Sequence, residues 1–390
     1  MQLLIDSPTN DVLVTTPKPR GRTIKALGVG KGDHANYLIQ GDNLDVLKAL
    51  MPSLQGMVRC VYIDPPYNTQ ENFAHYSDVA KHHDWLAELE ERLVLLFRTL
   101  TKDGSLWISI DDLGLHYLKV ACDRLFGRDK FVATIVWNHR ETRENRRVFS
   151  FNHEYILVYA KDPVLFNSTR GDFPLSEEIL ARYKNPDNDP RGPWQSISAN
   201  VQAGHAVASQ FYDVVAPNGK RHFLPQGRCW AYNERRMREE IKQGNIWFGS
   251  DGNGAPRVKK FLKDVQRGMA PSTLWTADVA GTTTDAKKHI KSLFPDGHPF
   301  DTPKPEKLLH RILQIATQPG DLVLDAYLGS GTTASVAHKT GRRYIGIECG
   351  EHAVSICAQR LKMVAQGERG GISSEVDWRG GGGFGFVQAP

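Results

Sequence analysis

The chain has 390 residues, 40% hydrophobic and 24% charged, with a net charge of +5. That balance describes a soluble globular protein of one large domain or two intimate ones, and it permits a nucleic-acid partner without requiring one. Five scattered cysteines without a C-x-x-C pair argue against a zinc site and for a reducing cytoplasm, and no apolar run approaches the ~18 residues of a membrane span. The first residues show no basic region ahead of an apolar stretch, so neither export nor membrane insertion is expected.

Residues 1–30 are rich in Thr, Pro and Gly and read as a flexible arm. "GVGKGD" at 28–33 has no apolar strand before it and no Ser or Thr after its Lys, so it is not read as a phosphate loop. "NYLIQGDNLDVLKAL" (36–50) predicts strand, turn and helix, with Gly41 and Asp42 at the turn. Val61, Tyr62 and Ile63 end a short buried strand that runs into "DPPYNT". Pro65 and Pro66 fix φ and remove two donors, so the chain leaves the sheet as a stiff turn with Asp64 at the strand's carboxyl end. In an open α/β sheet that edge binds ligands. The proline carbonyls can accept hydrogen bonds and Tyr67 offers a flat face, which together suit an aromatic amine. The plainer alternative is a proline turn with a capping Asp.

A long amphipathic helix is predicted over 82–100, a strand over 104–110, a helix over 116–126, and strands over 131–137 and 155–160. Alternating strands and helices predict a parallel or mixed sheet covered on both faces. The rhythm breaks over 165–295, where Arg235, Arg236 and Arg238 form one basic cluster and Arg257, Lys259, Lys260 and Lys263 another. Such an insert is a candidate DNA surface, against the alternative of ordinary solvated charge. A helix opened by proline is predicted at 305–317. "GDLVLDAYLGSGTTASVAHKTGRRYIGIE" (320–348) then predicts a βαβ nucleoside-binding unit, with Gly329 and Gly331 allowing close backbone approach and Glu348 placed for two ribose hydroxyls. A dehydrogenase fingerprint would carry a third glycine, which is missing here.

"DPPY" followed later by "DAYLGSGTT" resembles the S-adenosylmethionine-dependent DNA amino-methyltransferases of the beta group. With "FNHEYILVYAK", "WFGSDGNGAPRVKKFL" and "FDTPKPEKLL", the ordered set resembles the modification subunits of type III restriction systems and related adenine methyltransferases, over roughly residues 36–350. The resemblance implies a Rossmann-like α/β methyltransferase sheet with helices on both faces and a circularly permuted motif order. Its parts would be a catalytic half (31–164), a target-recognition insert (165–295), a cofactor half (296–362) and a Gly-rich tail (363–390). It departs from the family at Tyr327, where Phe is usual. Type III modification subunits also usually run well beyond an equivalent Gly-rich strand, so a compact solitary enzyme and a shortened chain both stay open.

By the same resemblance, the chain methylates adenine N6 in double-stranded DNA at a specific site by base flipping, within a restriction-modification system. Asp64, Pro65, Pro66 and Tyr67 would be catalytic. The cofactor would be held by Asp325, Ala326, Tyr327, Gly329, Gly331 and Thr332, with Asp42 near its purine, Glu348 on its ribose, and Thr302 and Lys304 over its methionine end. Arg235, Arg236, Arg257, Lys259, Lys260 and Lys263 are the candidate DNA contacts. A second copy of the chain and a restriction subunit are further candidate partners, and no metal is expected. Asp at the first clamp position favours adenine over cytosine N4. An RNA or protein methyltransferase and a non-catalytic DNA-binding regulator are the rival functions.

Overall fold

The computed structural model describes residues 3–5, 14–16, 22–23, 27–30, 36–68, 82–143, 148–265, 268–297 and 300–390. The chain divides into two compact units, Met1–Gly171 with Pro271–Pro390, and Asp172–Ala270. In the first, strands β1 (Arg22–Thr23), β2 (Tyr37–Gln40), β3 (Val58–Ile63), β4 (Leu100–Ile110), β5 (Phe131–Asn138) and β6 (His153–Ala160) join β7 (Leu274–Trp275), β8 (Leu322–Asp325), β9 (Arg343–Glu348) and β10 (Gly385–Gln388). They form one sheet in the order β7-β5-β6-β4-β3-β8-β9-β2-β10-β1. Neighbours run parallel, except that β6 is antiparallel to both of its neighbours and β1 to β10.

Every residue of β3 is buried, as a strand covered on both faces requires. On one face lie α1 (Asn43–Leu54), α2 (His82–Thr99) and α3 (Asp112–Phe126), whose Leu47, Leu50, Leu93 and Leu118 pack against Ile39, Val61, Ile108 and Leu324 of the sheet. After α4 (Thr283–Leu293) come α5 (Glu306–Ala316) and α6 (Thr332–Lys339), which cover the other face. Among the described residues no helix is long and apolar enough to cross a membrane.

The connections explain where a site can form. From β3 the chain passes through α2 to β4 on one side; from β8 it passes through α6 to β9 on the other. The border between β3 and β8 is therefore the topological switch point, whose carboxyl edge opens into a crevice. Asp64 follows β3 and Asp325 ends β8, so residues distant in sequence meet at that edge.

Three predicted boundaries move. The helix expected from 116 starts at Asp112, because the Asp111 carboxylate accepts the Leu113 and Gly114 amides as an N-cap. The expected Gly-rich tail contains β10, a sheet strand in which Phe386 is fully buried. The insert expected over 165–295 is narrower, because Phe166 and Trp275 are buried with the first unit and β7 pairs with β5. In the second unit a three-stranded antiparallel sheet (Trp194–Ser198, Ile246–Trp247, Arg257–Phe261) accompanies the helix Glu234–Lys242. Trp230, Met237, Phe248 and Val258 fill its core. Most of the predicted arm and the second half of "GVGKGD" lie outside the described residues.

Candidate active site

Asp64 has more to do than cap a turn. Its Oδ1 accepts the Tyr67 hydroxyl at 2.7 Å, and its Oδ2 meets the Lys304 ammonium at 2.7 Å. Both partners also reach a second carboxylate. Tyr67 lies 3.2 Å and Lys304 3.5 Å from Oε2 of Glu154, near the start of β6. Burial pushes the Asp64 carboxyl up from its ordinary pKa; Lys304 opposes the rise and Glu154 adds to it. The Pro66 carbonyl accepts the Trp85 indole N–H at 2.7 Å, whereas no donor reaches the Pro65 carbonyl among the described residues. The turn thus presents, side by side, a carboxylate and a carbonyl that has no donor of its own among those residues. Lys304, the residue predicted over the methionine end of a cofactor, lines the cleft with its ammonium on Asp64, where two carboxylates converge.

The glycine-rich turn after β8 is built around two left-handed residues, Gly329 at φ +55° and Gly331 at φ +81°. A Cβ on Gly329 would stand 3.3 Å from the Phe300 ring. Glu348, at the end of β9, anchors this turn: Oε2 accepts the Gly329 amide at 2.8 Å, and Oε1 accepts the Gly350 amide at 3.1 Å and lies 3.1 Å from Nε2 of His352. Burial alone would raise the Glu348 carboxyl, but His352 and the two amides outweigh it and hold it below its usual value. Asp325 goes the other way. Burial pushes its carboxyl up to about 7 despite hydrogen bonds from Thr333 and the Tyr327 amide. On the opposite rim, Arg92 of α2 donates to Asn43 at 2.6 Å, and Asn43 donates to the Ala326 carbonyl at 2.8 Å. Asp42 caps α1 through the Leu44 and Asp45 amides and pairs with Arg92 at 3.4 Å.

The two turns share one cleft of about 310 Å³. Asp64, Pro65 and Pro66 line it, as does every predicted cofactor residue except Gly331, while Tyr67 stands outside the lining. Sequence reasoning missed Asn43, Trp85, Arg92, Phe300 and His352 in the lining, and Glu154 in the clamp. A lone acid opening the apolar run "EYILVYA" was the available signal for Glu154.

Of the basic residues predicted as DNA contacts in the second unit, Arg235, Arg236, Arg257, Lys260 and Lys263 are exposed and Lys259 is not. Lys259 is buried and paired with Asp187 and, at 2.8 Å, with Asp189, so it is withdrawn from any outer surface. Arg257 is exposed but turned onto the Ser196 carbonyl at 3.0 Å. Arg235 and Arg236 lie 4.0 and 3.5 Å from Glu239 and Glu240 one helical turn on. Lys260 and Lys263 are exposed and make no ion pair among the described residues.

A family model described as DNA methylase matches residues 58–359, which takes in both turns of the cleft. The chain belongs to this DNA methylase family. Among curated relatives, the type III restriction-modification enzyme StyLTI Mod subunit of Salmonella typhimurium strain LT2 is 33% identical, over 79% of this chain and 50% of its own length. The EcoP15I Mod subunit of Escherichia coli is 25% identical over 81% and 58%. The DNA adenine methyltransferase YhdJ of Escherichia coli K12 is 25% identical over 86% and 85%. This DNA methylase-family chain therefore spans about half the length of the Mod subunits it matches.

Proposed function

We propose that this chain transfers the methyl group of S-adenosylmethionine to N6 of an adenine rotated out of duplex DNA at a specific site. One observation carries the reading: the Asp64 carboxylate and the Pro65 carbonyl, which meets no donor among the described residues, open into the same cleft as the glycine-rich turn. The cleft fits the cofactor. The backbone at Gly329 lies where a side chain would crowd Phe300, and the two acids Asp325 and Glu348 face a space suited to a cationic nucleoside. When bound, the cofactor supplies an activated methyl group on a sulfonium.

The chain's own residues do the rest. Asp64 and the Pro65 carbonyl accept the two N–H bonds of the amine, which turns the nitrogen lone pair out of conjugation and toward the cleft. Tyr67 offers its ring to the base, and Glu348 supports the ribose while holding the turn. Catalysis on this scheme is positioning and electrostatics. The Mod relatives belong to type III restriction-modification enzymes, which supports a restriction subunit as a partner.

The test is transfer of a radiolabelled methyl group to unmethylated bulk DNA, followed by digestion to nucleosides. Label in N6-methyl-2′-deoxyadenosine is expected, and Asp64→Ala should abolish it in a folded protein. Label in N4-methyl-2′-deoxycytidine would assign the base to cytosine, and no incorporation would overturn the reading.

A further inference from the structure

Asp64 and Lys304 alone would make a self-neutralising pair at the point where the amine must bind. An ammonium 2.7 Å from Oδ2 competes with any other donor for that oxygen. Glu154 changes this balance. It stands 3.5 Å from the same ammonium and 3.2 Å from the Tyr67 hydroxyl, so both donors on Asp64 are shared with a second acceptor. Glu154 is itself fixed by its strand pairing, with His153 opposite Asn138 and Tyr155 opposite Val136.

We propose that Glu154 is a positioning residue of the methyl-transfer site, drawing Lys304 and Tyr67 partly off Asp64 and leaving the clamp one net negative charge. This inference rests on the proposed function and goes beyond it. As N6 bonds to the methyl carbon, the carbon–sulfur bond breaks and its electron pair stays on sulfur. The amine nitrogen then carries positive charge until one of its protons passes to the Asp64 carboxylate, which returns it to water. Two carboxylates and one ammonium face that developing charge with a net attraction; Asp64 and Lys304 alone would face it with none. With all three side chains largely shielded from solvent, that difference is large.

The surroundings of Glu154 support an ionic role. His139 Nδ1 lies 3.6 Å from Oε1, and burial holds that imidazole below its usual pKa, which favours its neutral form. Among the described residues, Asp111, Tyr62 and Tyr67 are the other titratable groups that sense its charge. Lys304 and Asp64 complete the set, so Lys304 is the cation on which Glu154 acts.

The test compares Glu154→Gln and Glu154→Asp with the parent, in label transfer to unmethylated bulk DNA across pH, with cofactor affinity by calorimetry and thermal melting alongside. Glu154→Gln should keep the parent's melting and cofactor affinity while kcat falls by at least about tenfold. Lys304 would then face Asp64 with no competing charge and lower its pKa, so the acid limb of the rate profile should move to lower pH. Glu154→Asp should restore most of the rate. A Gln variant with the parent's kcat and acid limb overturns the proposal. So does a rate loss that tracks lowered melting, leaves the acid limb in place and is not rescued by Asp. A parent that labels no DNA removes the proposed function and this inference together, a result distinct from an active parent with an indifferent variant.

Discussion

Asp64 and Asp325 are both acids at the carboxyl ends of adjacent strands, yet their partners give them different work. Asp64 meets a lysine and a tyrosine hydroxyl, whereas Asp325 meets uncharged donors, Thr333 and the Tyr327 amide, and is pushed up to about 7 by burial. A cationic cofactor in the cleft would favour the ionised form of Asp325, so binding below pH 7 must first remove a proton. Affinity for S-adenosylmethionine should therefore weaken as pH falls below about 7, by at most about tenfold per unit. Asp325→Asn should flatten that dependence. Calorimetry across pH checks it, and a parent affinity that stays level from about pH 5 to about pH 8 would take Asp325 out of the cofactor's field. Without cofactor the sign reverses: the fold prefers the neutral acid, so this group's contribution to stability declines as pH rises from the unfolded value near 4 toward 7. The Asp64 clamp was legible because its parts are contiguous. Glu154 was not, because it arrives on a strand whose direction and register no local pattern states.

Strand and turn together explain the cofactor half. The spacing from Gly329 to Glu348 spans one helix and one strand, which returns the carboxylate to the same sheet edge; that much follows from a βαβ pattern. The anchoring does not. Glu348 was expected to face only a ribose, but it also accepts the Gly329 and Gly350 amides and pairs with His352. Glu348→Ala should then act twice, removing a hydrogen-bond acceptor for the ligand and releasing the turn that shapes the pocket. We expect S-adenosylmethionine affinity to fall by about tenfold to a hundredfold, with DNA affinity unchanged. Calorimetry and a DNA gel-shift series separate the two. Equal cofactor affinity in variant and parent would leave Glu348 with a structural role alone.

At the scale of the whole molecule, a mixed sheet covered on both faces followed from alternating strands and helices, whereas its strand order and switch point did not, and the second unit was legible only as a break in that rhythm. Its charges show why. Counting cations in "RVKKF" ignores the pleat, which turns Lys259 inward toward Asp187 and Asp189 and leaves Lys260 outside. Lys259→Ala would leave Asp187 without its cation, while Asp189 keeps Arg191 at 2.8 Å, so it should destabilise the second unit by about 1 to 3 kcal/mol. The surface test must spare it. If Lys260 and Lys263 bind phosphates, Lys260→Gln with Lys263→Gln should weaken binding to any duplex. It should also make the salt dependence shallower by up to about two units of log-log slope, one for each phosphate no longer neutralised. Cofactor affinity should hold, because the cleft is lined wholly by the first unit. Gel shifts from low to moderate salt give the slope. A slope unchanged in the double variant would move the DNA surface away from this strand, and Arg235 and Arg236 on the exposed face of the helix Glu234–Lys242 would be the next cations to neutralise.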